Sequence, residues 1–140
     1  MLFRSLMRAT DRLVLIEAHP AEHDALRGVF RRDRRVHMHK RDGFEALPGL
    51  VPPAERRGLV LIDPSYEVKL EYRSVPGSVG TALRRWSSGI FAIWYPLLPD
   101  GRHAPLVAGL EALARRVLVA ELTGPARDHR SESTRLNSSH

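Results

Sequence analysis

The sequence contains no cysteine, which excludes disulfide bonds and thiolate metal sites and agrees with a cytoplasmic protein. It also contains no apolar run close to the roughly 20 residues of a membrane span. The N-terminal stretch MLFRSLMRATDR is interrupted by arginine too often for a signal peptide. We therefore expect one cytoplasmic domain, within 140 residues, that has neither a membrane nor a metal partner.

Lysine is scarce, because Lys40 and Lys69 are the two lysines of the chain. Lysine and arginine together nevertheless number 22 against 16 acidic residues, so arginine supplies most of the net charge of +6. A positive balance favours a polyanionic partner such as nucleic acid. A general bias of the composition toward arginine explains the charge equally well, so charge alone leaves both interpretations open.

Short apolar runs alternate with amphipathic segments along the chain. LVLIE at 13–17 and GLVLID at 58–63 are typical of strands buried on both faces. Together with the intervening helical patterns they predict an α/β fold with a largely parallel sheet. The predicted strands are 13–17, 36–40, 58–63, 89–96 and 117–122, and the predicted helices are 19–32, 42–50, the later part of 67–87, and 103–116.

Helical spacing also predicts which side chains face the core. Pro48 is expected to stop its helix, and Pro76 to lie near the beginning of the next one. Trp94 is expected in the core and Tyr95 at the sheet edge. The inward helical positions are Ala25, Leu26, Val29 and Phe30 in the first helix, Val79, Ala82, Leu83 and Trp86 in the third, and Leu106, Leu110 and Leu113 in the fourth.

Acidic residues follow three of the predicted strands. Glu17 closes LVLIE, Asp63 closes GLVLID, and Asp42 comes two residues after VHMHK. In an open parallel sheet ligands bind beyond the carboxyl ends of the strands, where a carboxylate can accept hydrogen bonds from ribose hydroxyls or an adenine amine. Each acid taken singly is more typical of a helix N-cap or a solvated turn. Three at one edge favour a ligand site.

The segment Asp63-Pro64-Ser65-Tyr66 resembles the Asp-Pro-Pro-Tyr signature of adenine-N6 methyltransferases. In that signature the carboxylate and the proline carbonyl accept hydrogen bonds from the exocyclic amine, and the aromatic ring stacks on the base. Adenine N6 is a poor nucleophile because its lone pair is delocalised into the ring, so two fixed acceptors act chiefly by orienting it. Pro64 favours an extended Asp63 and so presets the turn.

Four further segments, IEAHP, RDGFEAL, PPAERRGLVLIDPSYE and GIFAIWYPLL, occur in order between Leu2 and Leu122. With these the chain resembles the bacterial 23S ribosomal RNA adenine-N6-methyltransferase J family. The resemblance implies a Rossmann-like fold, S-adenosylmethionine as cofactor and ribosomal RNA as partner. It also implies that Glu17 binds the cofactor ribose, that Asp42 and Gly43 hold its adenine, and that Asp63 is catalytic and borders the cofactor.

The sequence departs from the family pattern in two ways. Ser65 replaces the second proline of the signature, which loosens the turn. The family's first strand with its glycine-rich loop, and its final strand pair, have no counterpart here. Residues 1–129 are therefore expected to form a partial methyltransferase domain that is inactive and of low stability by itself. The tail 130–140 is expected to be disordered and non-native.

Two other functions remain open at this stage. A DNA adenine methyltransferase shares the same motif, and a non-catalytic nucleic-acid-binding remnant fits the charge. The basic run RRDRRVHMHK at 31–40 is more typical of a solvated helix end than of an RNA contact. His37 and His39 are interpreted as residues of a polar strand face, because no third ligand has metal-binding spacing.

Overall fold

A computed structural model describes residues 5–64, 66, 71–113 and 116–122 of the chain. Besides a helical segment at residues 5–6, the described residues form four short parallel strands and four longer helices. In chain order they are β1 (Leu13–Ile16), α1 (Pro20–Phe30), β2 (Val36–His39), α2 (Gly43–Leu50), β3 (Leu59–Ile62), α3 (Glu71–Arg85), β4 (Ile90–Ile93) and α4 (Ala104–Glu111). No helix among these residues is long and apolar enough to cross a membrane.

The strands form two separate parallel pairs. Strand β1 pairs with β2 in the register Leu13 to Val36, and β3 pairs with β4 in the register Leu59 to Ile90. The predicted α/β class and parallel pairing are confirmed. The expected single sheet is not formed within the described residues, because no strand there pairs with both β1 and β3. The incomplete Rossmann-like sheet stays a prediction.

Helices α3 and α4 cover one face of the β3–β4 pair with two apolar clusters. The first cluster contains Tyr66, Tyr72, Val75, Val79 and Leu106, with Ile62, Phe91 and Ile93 against it. The second contains Leu47, Val51, Ala82 and Trp86. Burying apolar side chains gains roughly 25 cal/mol per Å², so these clusters are where α2, α3 and α4 are held on the sheet.

Helix α2 lies against α3 and the second strand pair. Its Leu47 and the following Val51 belong to the cluster of Trp86, whereas Phe44 packs against the cluster of Tyr66. The helix that begins beside β2 therefore contacts the elements around β3. This packing connects the two halves of the described chain.

The structure corrects three predictions about secondary structure. Pro48 and Pro76 both lie inside helices. Each proline removes one backbone donor, and flanking buried side chains, Leu47 for the first and Val75 for the second, keep the helix packed. Residues 117–122 form no strand. An apolar run becomes a strand only when it finds a hydrogen-bonding partner, and Leu118 is 93% exposed.

The predicted core is right in part. Val79, Ala82, Trp86, Phe30 and Leu106 are buried, as helical spacing predicts. The prediction is wrong for four residues, since Ala25, Val29, Trp94 and Leu113 are exposed. On α1 the buried positions are His23 and Phe30, seven residues apart. The face of α1 that contacts the rest of the protein is therefore narrower than the distribution of its apolar residues indicates.

Candidate functional site at the carboxyl ends of the strands

Glu17 lies immediately beyond β1. Its amide nitrogen donates to the carbonyl oxygen of His39 at 3.1 Å, so the parallel ladder continues one residue past the strand. Its carboxylate Oε1 accepts from the amide nitrogen of His19 at 2.7 Å. The half-buried side chain thus shapes the turn into α1, and it lies at the edge where the parallel-sheet rule expects a ligand.

Asp42 is the N-cap of α2. Its Oδ1 accepts from the amide nitrogens of Phe44 at 2.7 Å and Glu45 at 3.0 Å. These bonds satisfy two donors that a helix start otherwise leaves without partners. Oδ2 forms no hydrogen bond with the described residues, and the side chain is exposed. Asp42 can therefore cap the helix through Oδ1 and bind a ligand through Oδ2 at the same time.

Gly43 follows Asp42 as the first residue of α2. A Cβ built on this glycine meets no protein atom within 4 Å. Its backbone φ is not in the left-handed region. Neither packing nor backbone conformation therefore requires glycine here, and the open space beside it can accept part of a ligand.

Asp63 and Pro64 extend the edge of the second strand pair. The amide nitrogen of Trp94 donates to the carbonyl oxygen of Ile62 at 3.0 Å, so Asp63 emerges where the β3–β4 ladder ends. The Asp63 carboxylate is exposed and forms no hydrogen bond or ion pair with the described residues. Pro64 is half-buried. A carboxylate in this setting remains an available acceptor.

Tyr66 lies in the apolar core. It is 5% exposed, its φ is 56°, and its ring centroid is 4.4 Å from that of Tyr72 at an interplanar angle of 41°. Positive φ is uncommon for a bulky residue, so the backbone turns sharply after the acid-proline pair. In this arrangement Tyr72 and the other residues of the cluster surround the Tyr66 ring.

The predicted site residues fall into two groups. Glu17 and Asp42 lie at the carboxyl edge of β1–β2, and Asp63 with Pro64 lies at that of β3–β4. Phe44 of α2 connects them, since it packs against the cluster that contains Tyr66. The functional roles assigned to these residues from the sequence stay predictions.

Sequence reasoning missed a polar arrangement beyond β4. The hydroxyl of Tyr95 donates to Glu121 Oε1 at 2.8 Å, and its ring stacks on His103 with centroids 6.0 Å apart. Burial raises the pKa of Tyr95 to about 12, and the bond to Glu121 adds to the rise. The residues are 26 positions apart, and no periodicity in the sequence could have paired them.

The described residues combine a parallel α/β fold with an exposed Asp63 and its following Pro64 where β3 ends. The sequence model described as "Ribosomal RNA large subunit methyltransferase D, RlmJ" matches residues 1–139. The chain belongs to this family.

Two curated relatives carry the name ribosomal RNA large subunit methyltransferase J. The chain is 40% identical to the Escherichia coli (strain K12) protein over 120 residues, which cover 85% of this chain and 43% of that protein. It is 40% identical to the Haemophilus influenzae protein over 118 residues, covering 84% and 42%. The chain thus spans less than half the length of these relatives.

A solved structure shows the same fold. The crystal structure of a Legionella pneumophila protein superposes with a TM-score of 0.74 at 34% sequence identity. The match covers 79% of this chain and 41% of that protein.

Proposed function

We propose that residues 1–129 form part of a domain that transfers a methyl group from S-adenosylmethionine to N6 of an adenine in 23S ribosomal RNA. The observation that carries this proposal is the exposed Asp63 carboxylate on a proline-fixed turn at the carboxyl end of β3. Membership of a family named for ribosomal RNA methylation supports the choice of substrate. The DNA adenine methyltransferase is the second candidate, and the names of both curated relatives favour RNA over it.

Asp63 and Pro64 act on the target amine. The carboxylate and the carbonyl oxygen of Pro64 accept the two N6 hydrogens, which fixes the amine and directs its lone pair out of conjugation with the ring. Since amine acidity in adenine is very low, the effect comes from orientation and from stabilising charge that develops on nitrogen. The cofactor supplies an electrophilic methyl group on sulfur.

Glu17, Asp42 and Gly43 suit the nucleoside end of the cofactor. Glu17 has a second carboxylate oxygen beside the one that accepts from His19, and ribose hydroxyls donate to such an acceptor. Asp42 Oδ2 can accept from the adenine amine while Oδ1 caps α2. The open space at Gly43 accommodates the adenine ring. The residues present therefore fit the cofactor.

Tyr66 offers the target base an aromatic surface. At 5% exposure its ring is covered by the cluster of Tyr72, so stacking on a base requires this contact to open. Base–aromatic stacking contributes about 1–3 kcal/mol. That gain offsets part of the free energy lost when the Tyr66 ring leaves the cluster.

The test is methyl transfer by an extended chain that supplies the remaining length of its curated relatives. Asp63→Asn and Asp63→Ala should each lower kcat by about 100-fold or more, the scale of losing one preorganised electrostatic contact. Asp24→Asn, which alters another exposed aspartate, should leave it unchanged. Retention of most of the kcat by Asp63→Asn would remove the assigned role. Protein-free ribosomal RNA and duplex DNA are offered in parallel, and preference for DNA would favour the second candidate.

A further inference from the structure

Four arginines line one open groove at the end of α1. The groove has a volume of about 710 Å³, and its lining includes Arg27, Arg31, Arg32 and Arg34 together with the apolar residues Phe30, Val36 and Met38. All four arginines are exposed. We call this surface the arginine groove.

The charges of the arginine groove are not neutralised from within the described part of the chain. Asp33, the acid of the lining, is held by Arg35, which donates from Nε to Oδ1 at 2.9 Å and from Nη2 to Oδ2 at 2.7 Å. This bond raises the pKa of Arg35. No carboxylate of the described residues forms an ion pair with Arg27, Arg31, Arg32 or Arg34.

Attraction to the helix dipole does not explain why four arginines cluster at the end of α1. A cation in the last turn of a helix gains about 0.3–1 kcal/mol from the helix dipole, and the effect fades beyond that turn. Arg27 lies in the last turn, whereas Arg32 and Arg34 lie past the end of α1 at Phe30. Four like charges around one groove repel each other, and a bound polyanion relieves that repulsion.

We infer that the arginine groove binds the phosphate backbone of RNA. The guanidinium fork matches phosphate oxygens in a bidentate manner, and several guanidinium groups in one groove match a chain of phosphates better than a single anion. The choice of RNA as the polyanion rests on the proposed function. Contacts to phosphates position a nucleic acid and carry no base information, so this groove positions the RNA and does not read the target base.

The test measures binding of the 140-residue chain to a short fluorescein-labelled single-stranded RNA by anisotropy across a series of salt concentrations. Each phosphate contact contributes about 0.7 to the slope of log K against log salt for single strands. Arg31→Gln/Arg32→Gln should therefore lower the slope by about 1.4, and Arg31→Lys/Arg32→Lys should keep most of it. Circular dichroism checks that each variant retains the helix content of the wild type.

The matched control is Arg56→Gln/Arg57→Gln, another adjacent exposed arginine pair that precedes a strand. It removes the same charge and should change the slope by much less. Equal slope losses in the two variants, or no RNA binding by the wild type, would overturn the inference. Photocrosslinking with 4-thiouridine RNA provides a second measurement. It should label the peptide around residues 27–34, and labelling around 56–57 alone counts against the groove.

Two further measurements test whether the groove prefers an anion other than RNA. Inorganic phosphate at matched ionic strength should displace RNA no better than chloride, and vesicles of phosphatidylserine and phosphatidylcholine should bind more weakly than RNA. Strong displacement by phosphate would indicate a single-anion site, and tighter binding to vesicles would indicate a membrane surface. Either result rejects the inference. Because no arm depends on methyl transfer, the arginine groove and the proposed reaction can fail independently.

Discussion

Two substitutions of Asp42 can separate its role as a helix cap from its proposed role in binding the cofactor. Asp42→Ala removes the acceptor for the amides of Phe44 and Glu45. Asp42→Asn keeps an oxygen in the same place but replaces the second oxygen by an amide nitrogen, which donates. We expect the alanine variant to lose both functions and the asparagine variant to lose the cofactor contact alone.

The expected magnitudes follow from these bonds. Loss of an N-cap acceptor costs about 1 kcal/mol, and asparagine is about as good a cap as aspartate. For a domain of this size 1 kcal/mol lowers Tm by about 4 °C, so Asp42→Ala should show that decrease and Asp42→Asn almost none. A hydrogen bond to a charged acceptor contributes about 2 kcal/mol, which is roughly 30-fold in affinity. Both variants should therefore bind S-adenosylmethionine about 30-fold more weakly.

The assays are thermal unfolding followed by circular dichroism on this chain, and calorimetric titration with S-adenosylmethionine on the extended chain. If Asp42→Asn destabilised the protein as much as Asp42→Ala, the negative charge and not the cap would be the stabilising feature. If Asp42→Asn bound the cofactor like the wild type, Asp42 would not contact the adenine amine.

Three further predictions concern stability, pH and the target base. Tyr66→Ala should lower the apparent affinity for the target RNA and also destabilise the core by about 3–5 kcal/mol. Tyr66→Phe should have only a small effect on affinity and on stability, and an equal loss of RNA affinity in the two variants would assign a role to the hydroxyl. Leu106→Ala, at 0% exposure, should cost about 2–5 kcal/mol in urea unfolding, and Leu118→Ala, at 93%, almost nothing; similar costs would place Leu118 in the core. The folded pKa of Tyr95 is raised to about 12, so its contribution to stability is complete below pH of about 10 and is lost between about pH 10 and 12. The stability of Tyr95→Phe should not show that loss, and identical stability profiles of wild type and variant against pH would contradict the raised pKa.

The sequence predicted the elements that are determined locally. LVLIE and GLVLID became β1 and β3 to within two residues, because continuous apolar runs bounded by charges favour short strands. The predicted burial on both faces is wrong, since Val14, Leu59 and Leu61 are exposed. Trp86 is buried, as helical spacing predicts. Asp42 is a helix N-cap, which is the structural role that its position before GFEAL indicates.

Features that depend on distant partners could not be predicted. VLVAEL at 117–122 has the composition of a strand and forms none, because pairing is decided by a neighbour and not by the run itself. Trp94 continues an apolar segment and was expected in the core, yet strand alternation turns it away from the cluster that Ile93 and Tyr95 contact. The burial of Tyr66 against Tyr72 likewise depends on a left-handed turn that the motif alone does not encode.

The uneven covering of β3 and β4 has a consequence for handling the protein. Leu59, Leu61 and Ile90 are 55%, 46% and 65% exposed on the face opposite α3 and α4, where Trp94 follows them. Exposed apolar patches of this kind promote association and bind amphiphilic dyes. The fluorescence of 8-anilinonaphthalene-1-sulfonate should rise in the presence of the folded chain, and its light scattering should increase more steeply than concentration.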